Sequence, residues 1–556
     1  MKITFIGATH EVTGSCSMLE VGGKHIIVDC GMEQGADIFE NIEIPVSPSE
    51  IDAIVVTHAH IDHSGKIPFL VSKGYSGPVY CTEATRQLCS IMLMDSAHIQ
   101  EFEAQWRNRK GHRAGREDFE PLYTTEDVQK TMQLFSTAYY GEEVKIFDGV
   151  TITYTDAGHL LGSSNVLFRL SENGEERTIL FSGDLGNPEK PLIREPQIPP
   201  QADYVVCEST YGNRQHPEKP DYIGELTDVI QKTLDRGGNV VIPAFAVGRT
   251  QELLYYIRII KEEGLVKNHA GFPVVVDSPL AVEATNIYST DMYGYYDDEA
   301  LELIRSGVNP VTFPDLRLSV SSDESKMIND DTTPKIIISA SGMCEAGRIR
   351  HHLKHNLWRP ECTILFVGYQ SAETVGARLL EGDTAVKLFG ETIQVRAEIR
   401  MIHAFSSHAD EKMLLEWLQH AAPAKHLFIN HGEDLVVEYF AKEAGEMLGV
   451  TATAPYSGEV WDLISGELIH KEEVRPVLRK EARGGIEIRS FDQHGDLTIR
   501  RSAKSASPAF TDLCRQGNSL MDLIIRSSEN SNKELRKLSK DIAKLVEKYG
   551  KESIGD

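Results

Sequence analysis

The sequence predicts an α/β fold in which one layered α/β body is interrupted by a second, doubly wound unit and followed by a small C-terminal extension. Three observations predict it. Short apolar runs recur through the first about 210 residues and end in polar residues at turns. A second strand–helix rhythm fills residues 212–395. The first style of motif then resumes at Arg396-Ala397-Glu398-Ile399 and runs to about 465, so the second rhythm reads as an insertion. The chain has 556 residues. That is too long for one core, and about two to four domains are expected.

Taken in order, Lys2 to Gly7 reads as a first strand. Ile26-Ile27-Val28 ends at Asp29, and the run Ile51 to Val56 ends at His58. Further runs are Pro78-Val79-Tyr80, Val166-Leu167-Phe168, Ile179-Leu180-Phe181 (ending at Asp184) and Tyr204-Val205-Val206 (ending at Glu208). Polar groups at strand ends are how such folds build sites. A helical, charged insertion interrupts this part near 84–140. It holds Arg107-Asn108-Arg109-Lys110-Gly111-His112-Arg113 and Arg116, which read as solvated surface or as a hold on substrate. The division is therefore 1–211, 212–395, 396–465 and an accessory region 466–556.

Within 212–395, strands are expected at Asn239 to Pro243, Pro273 to Asp277, Lys335 to Ser339 and Thr363 to Val367, with a helical period from Gln251 to Ile260. In the last region, Gly485 to Arg489 and Asp496 to Arg500 alternate as a hairpin around His494-Gly495. Leu535, Leu538, Ile542, Leu545 and Tyr549 follow a 3-4-3-4 spacing. That spacing fits an amphipathic helix packed on a core, or the seam of a homodimer.

With 41% hydrophobic and 25% charged residues, the composition is that of a soluble globular protein. No apolar run reaches membrane-spanning length, and the first residues lack a signal peptide's apolar region. Eight scattered cysteines with no C-x-x-C pair suit buried free thiols in a reducing cytoplasm. A net charge of −26 argues against a protein that coats nucleic acid without specificity. It leaves room for a locally basic cleft.

The chemistry concentrates in Thr57-His58-Ala59-His60-Ile61-Asp62-His63-Ser64-Gly65. Four metal-binding side chains fall within six residues, directly after an apolar strand. Strand alternation lets His58 and His60 lean to one side at the strand's end. Asp62 and His63 then fall in a turn before a helix beginning near Gly65-Lys66-Ile67-Pro68, and face a second point. Imidazole and carboxylate donors in two groups suit a two-zinc centre. More donors wait at other strand ends: His159 in Gly158-His159-Leu160-Leu161-Gly162, and Asp184 in Ser182-Gly183-Asp184-Leu185-Gly186. A carboxylate such as Asp184 can bridge two cations.

Here the sequence resembles a known family. Asp29, the His58–His63 cluster, His159 and Asp184 match the four motifs of the metallo-β-lactamase fold. Glu208 in Cys207-Glu208-Ser209-Thr210, His408 in Ser407-His408-Ala409-Asp410, and His431 in Asn430-His431-Gly432-Glu433 match three further motifs of its β-CASP branch, which contains RNA-processing and DNA-repair nucleases. The pattern is similar to the pre-mRNA cleavage endonuclease subunit and its bacterial and archaeal relatives lacking KH domains. It covers about 1–465. The resemblance implies an αββα metallo-β-lactamase sandwich with an inserted β-CASP domain. It implies that His58, His60 and His159 hold one zinc, that Asp62, His63 and His431 hold the other, and that Asp184 bridges. Asp29 would orient a ligand histidine. His408, held by Glu208, would be the general acid. Asp62 and Asp184 would share in catalysis as ligands.

The implied function is a zinc-dependent ribonuclease with RNA as partner; endonuclease action is favoured over 5′ exonuclease action, a choice the sequence leaves open. Arg249, Ser339, Ser341, Arg348 and Arg378, at glycine-flanked strand–helix turns, are the candidate phosphate contacts. His351, His352 and His355 crowd one helix surface and are not read as zinc ligands, and His403 is read as structural. The competing reading is a small-molecule ester, thioester or lactone hydrolase of the same fold. It shares the first four motifs and needs neither the insertion nor Glu208 and His408.

Overall fold

A computed structural model describes residues 1–34, 38–111, 118–188, 190–216, 221–290, 292–371, 374–402, 406–475, 477, 486–491, 497–502 and 540. It divides into two compact units, 1–476 and 477–556.

The larger unit is built on three sheets. The first has eight strands in the order Glu467–His470, Val460–Asp462, Lys2–Gly7, Cys16–Val21, Lys24–Val28, Ala53–Val55, Val79–Thr82 and Phe135–Ala138. The second has seven: Ala452–Thr453, His426–Ile429, Tyr204–Cys207, Glu175–Phe181, Ser164–Glu172, Val150–Asp156 and Glu143–Phe147. Ile3, Phe5, Leu19 and Val55 of the first pack against Val166, Phe168, Tyr204 and Phe428 of the second. Helices cover both outer faces. Ile67–Ser72 packs its Ile67 and Leu70 on the first sheet, and Glu411–Ala421 and Asp434–Leu448 pack Leu414, Trp417 and Phe440 on the second. The result is the αββα sandwich that the resemblance implies.

The third sheet is parallel throughout, in the order Leu316–Ser319, Val274–Asp277, Ile336–Ser339, Val240–Pro243, Thr363–Phe366 and Glu398–Met401. Its central strands are unbroken β-branched runs, and every residue of Val274–Asp277 and Ile336–Ser339 is buried. That is the pattern of strands covered on both faces. The chain leaves the second sheet after Tyr204–Cys207 and returns beside it, in parallel, at His426–Ile429 (Cys207 opposite Ile429). About 218 residues are thus looped out between two neighbouring strands.

The structure differs from the sequence reading at three places. Glu398–Met401, read as the return to the first body, is instead an edge strand of the parallel sheet, with Thr363 opposite Glu398. The strand read over Ile51 to Val56 stops at Val55. Its ladder ends because the Thr57 amide is taken by the Asp29 carboxylate at 2.8 Å, so His58 and His60 lie beyond the strand, in a loop. The helix expected to start within Gly65–Pro68 starts at Ile67, but a separate helical turn stands before it in place of the irregular turn expected. His60 precedes the turn Ile61–Ser64, which carries Asp62 and His63, and Ile67–Ser72 follows with Pro68 in its first turn.

In the smaller unit, Ile486–Phe491 pairs antiparallel with Leu497–Ser502 as a hairpin. The heptad-like positions Leu535, Leu538, Ile542, Leu545 and Tyr549 lie outside the described residues, as do His112, Arg113, Arg116 and His403. The described part of the basic run lies on the helix Glu83–Gly111, where Arg107 pairs with Glu103 at 3.5 Å and lies 4.4 Å over the Phe119 ring. Among the described residues, no helix is long and apolar enough to cross a membrane. The seven described cysteines are all free and buried.

Candidate metal centre

The sheet topology brings the distant motifs to one edge. Glu175–Phe181, Tyr204–Cys207 and His426–Ile429 run in parallel, so Asp184, Glu208 and His431 emerge at the same end. In the facing sheet, Lys24–Val28 and Ala53–Val55 are also parallel and deliver Asp29 and His58 to that edge. Ligand sites in α/β sheets form at such carboxyl ends. Gly186 closes the loops: a Cβ there would stand 1.7 Å from the Gly158 carbonyl oxygen, so only glycine lets the Asp184 loop seat against the His159 loop. His431 and Asp29 hold left-handed backbone (φ 52° and 56°), a conformation that a surrounding structure must enforce.

Donor atoms of His58, His60, His159 and Asp184 lie within 4.8 Å of one another, as do those of Asp62, His63 and His431. Asp184 stands between the groups. Its Oδ2 is 3.5 Å from His58 Nε2 and 3.6 Å from His159 Nε2. Its Oδ1 is 3.2 Å from His63 Nε2 and 3.6 Å from His431 Nε2. That buried Oδ1 accepts no hydrogen bond among the described residues.

The outer hydrogen bonds fix which ring nitrogens face inward. His63 Nδ1 donates to Asp29 Oδ2 at 2.8 Å, and His159 Nδ1 donates to the Ser407 carbonyl at 3.1 Å. The Thr57 hydroxyl gives its proton to Asp29 at 2.9 Å, so at 3.2 Å it accepts from His58 Nδ1. The Nε2 atoms of all three rings therefore point into the site, as lone pairs in His58 and His159, which burial keeps neutral, whereas Asp184 and Asp29 overrule burial and raise the His63 pKa. There they crowd: His58 Nε2 is 3.0 Å from His60 Nδ1, His159 Nε2 is 3.2 Å from the same atom, and His63 Nε2 is 3.1 Å from His431 Nε2. Converging lone pairs with an unpartnered carboxylate oxygen between them fit divalent cations and little else.

Charge follows the same plan. Burial pushes the His58, His60 and His159 pKa values down, toward the neutral form a metal needs. Burial also opposes ionisation of Asp62 and Asp184, but the neighbouring histidines overrule it and hold both carboxyls well below the usual range. His408 is partly buried, yet the Glu208 carboxylate outweighs the desolvation and raises its pKa. His408 Nδ1 is 3.2 Å from each Glu208 oxygen, and Glu208 also accepts from the Leu185 amide at 2.5 Å and the Thr210 amide at 3.2 Å.

The candidate phosphate contacts are placed differently. Arg249 is buried, with its guanidinium on Glu252 at 2.5 Å and on Ser407 Oγ at 3.2 Å. Arg348 is bound to buried Asp277 at 2.7 Å, and Arg378 to Asp383 at 2.7 Å. Ser339 donates to the Asp277 carbonyl and is buried, whereas Ser341 lies at the surface and donates to the Ala346 carbonyl. His352 bonds Asp277 at 2.7 Å and Asn329 at 2.9 Å, a core role. Sequence reasoning missed Thr57, Thr210, Ser407 and Lys190. Thr210 holds His431 Nδ1 at 3.2 Å. Lys190 donates to the Ser407 carbonyl at 2.7 Å, and burial lowers its pKa to about 7. Only Thr57, beside the His58 cluster, carried a signal; the others act on partners more than 200 residues away or through backbone oxygen.

Three family profiles match the chain: "Metallo-beta-lactamase superfamily" over 11–131, "Beta-Casp domain" over 250–379, and "Zn-dependent metallo-hydrolase RNA specificity domain" over 392–455. Ribonuclease TTHA0252 of Thermus thermophilus is 36% identical over 435 residues, covering 78% of this chain and 94% of the relative. Transcription termination factor FttA of Methanosarcina mazei is 31% identical over 450 residues, covering 78% and 67%. Its counterpart from Thermococcus kodakarensis is 30% identical over 478 residues, covering 82% and 70%. The chain belongs to the β-CASP branch of the metallo-β-lactamase superfamily.

Proposed function

We propose that this protein is a zinc-dependent ribonuclease that hydrolyses RNA phosphodiester bonds at a two-metal centre, as an endonuclease rather than a 5′ exonuclease. The observation that carries the reading is Asp184, whose two oxygens face two separate donor groups beside a Glu208–His408 pair. A relative named as a ribonuclease and a matched profile named for RNA specificity support RNA as the substrate class.

His58, His60 and His159 would hold one zinc, Asp62, His63 and His431 the other, with Asp184 between them. Zinc bound there supplies an activated water and charge for the phosphoryl oxygens. The rest of the chemistry belongs to the chain. Asp29 and the Ser407 carbonyl hold His63 and His159 in the ligating tautomer. Glu208 accepts a hydrogen bond from the His408 Nδ1–H and favours the protonated ring, whose Nε2–H would protonate the departing ribose oxygen. Ser341 and Arg378 can meet phosphate from the surface. Ser339, Arg348 and Arg249 can do so only by exchanging the partners they hold. We assign 1–211 with 396–465 to the hydrolytic body and 212–395 to the substrate-facing unit, to which 398–401 lends an edge strand.

The alternative, a small-molecule hydrolase, has no use for Glu208–His408 or the inserted sheet. Purified protein incubated with labelled RNA, matched DNA and a chromogenic lactone separates the readings: RNA alone should be cut. RNAs with 5′ hydroxyl, monophosphate or triphosphate ends should yield the same internal fragments. Mononucleotides released only from the monophosphate would reverse the endonuclease assignment.

A further inference from the structure

Two half-exposed aromatic rings stand at the carboxyl edge of the parallel sheet. Phe245 follows the strand Val240–Pro243 and is 50% exposed; Tyr369 follows Thr363–Phe366 and is 49% exposed. Those strands are neighbours, with Val241 opposite Ile364. The two rings flank one surface around Gly342. A Cβ on Gly342 would lie 3.4 Å from the Phe245 ring, and the Gly342 carbonyl accepts from Gln370, next to Tyr369, at 3.0 Å.

Phe245 stands on a loop that leads to the metal centre, and Tyr369 lies near charged residues beside it. The loop after Phe245 reaches it twice. Gly248 is so close to Leu160, the neighbour of His159, that a Cβ would stand 3.1 Å from the leucine Cδ1. Arg249 then donates to Ser407, the neighbour of His408. On the other side, Tyr369 lies within the influence of Arg214 and of Glu433, two residues past His431. Exposed Arg214 sits 4.7 Å over the Tyr211 ring, whose centroid is 5.8 Å from that of His408.

An aromatic ring half in water at the mouth of a hydrolytic site offers a π face that every nucleobase can use, whatever the sequence. A cation beside it suits the phosphate that links successive bases. We propose that Phe245 and Tyr369 stack bases of single-stranded RNA on its way into the centre, and that Arg214 receives an adjoining phosphate. The proposal rests on the ribonuclease reading. Bases paired in a duplex are not free to stack, so this platform favours single strands.

The test uses the full chain, stripped of metal by a chelator so that nothing is cut. Two fluorescent oligomers of equal length are compared by anisotropy: single-stranded RNA and an abasic ribose-phosphate chain. Phe245→Ala and Tyr369→Ala should each weaken RNA binding about tenfold, and together about 100-fold. Abasic binding should change less than about threefold. Phe245→Tyr and Tyr369→Phe should restore RNA binding. Arg214→Gln should weaken both oligomers alike and reduce the salt slope by about one. Alanine variants that bind RNA like the wild type, or lose both oligomers equally, overturn the stacking proposal while leaving the ribonuclease reading intact. A metal-loaded wild type that neither binds nor cuts RNA overturns that reading, and the platform with it.

Discussion

His408 and Glu208 stand 200 residues apart in sequence, yet the His408 Nδ1 is 3.2 Å from both carboxylate oxygens. Glu208 is fixed by backbone amides of Leu185 and Thr210, so the histidine adapts to the carboxylate. His408→Ala should keep two zinc ions per chain while cleavage falls about 10²–10⁴-fold. The sign of the pH effect follows from the raised His408 pKa. An acid must be protonated, so cleavage is lost as pH rises through that pKa. Glu208→Gln removes the charge that raises it, and the falling limb should move to lower pH. A limb that stays in place removes His408 from the acid role.

In the proposed centre Asp29 would act one step behind the metal, through His63. Its carboxylate takes the Thr57 amide, the Thr57 hydroxyl and His63 Nδ1, which ends the strand and sets a histidine tautomer together. Asp29→Asn should weaken zinc binding about 10–100-fold, read by competition with a coloured chelator. The effect should fall on one of the two zinc ions first, because His63 belongs to a single donor group.

Arg249 ties the inserted unit to the site through Ser407 while paired with Glu252. Arg249→Met should cost about 3 kcal/mol in denaturant unfolding, because it leaves the partly buried Glu252 carboxylate without this cation. Adding Glu252→Gln should recover most of that stability. Cleavage should remain about tenfold down in the double variant, since Ser407 and His408 lose their anchor. Full recovery of both quantities would reduce Arg249 to an ordinary ion pair.

His426 provides a pH test of the fold away from the metals. It is buried between Phe428 and Trp461, its Nε2 2.9 Å from the Thr453 hydroxyl, and burial lowers its pKa to about 4. An unfolded histidine titrates near about 6.5. The unfolded chain therefore binds the extra proton first, and stability falls as pH drops from about 6.5 to about 4. The loss from this one group is about 3 kcal/mol at the acid end. In His426→Phe, the pH dependence of urea unfolding should flatten by that amount.

The site was legible in the sequence to the extent that its donors end strands. Asp29, Asp184, Glu208 and His431 each follow an apolar run, and parallel pairing delivers them to one edge, whereas His159 follows the alternating, antiparallel strand Val150–Asp156. What the sequence could not give was partnership across distance. Arg348 and Asp277 are 71 residues apart, and Lys190 and Ser407 are 217 apart. A glycine-flanked arginine therefore read as free for phosphate when a buried carboxylate already held it. Alternation was likewise applied to His58 and His60 one step too far, because a side chain of Asp29 ends the ladder at Val55. Leu316–Ser319 and the hairpin Ala385–Leu388 with Glu391–Gln394 escaped because their four-residue runs are short and each is broken by one to three polar residues.

The central claim is that two zinc ions at this centre cut RNA. Zinc per chain and cleavage of a labelled single-stranded RNA, followed together as a chelator removes metal and zinc is added back, test it most directly. The account predicts two zinc ions in the active protein, loss of cutting as they leave, and recovery only as the second returns. Intact RNA at full occupancy, or full cutting with the centre empty, would contradict it.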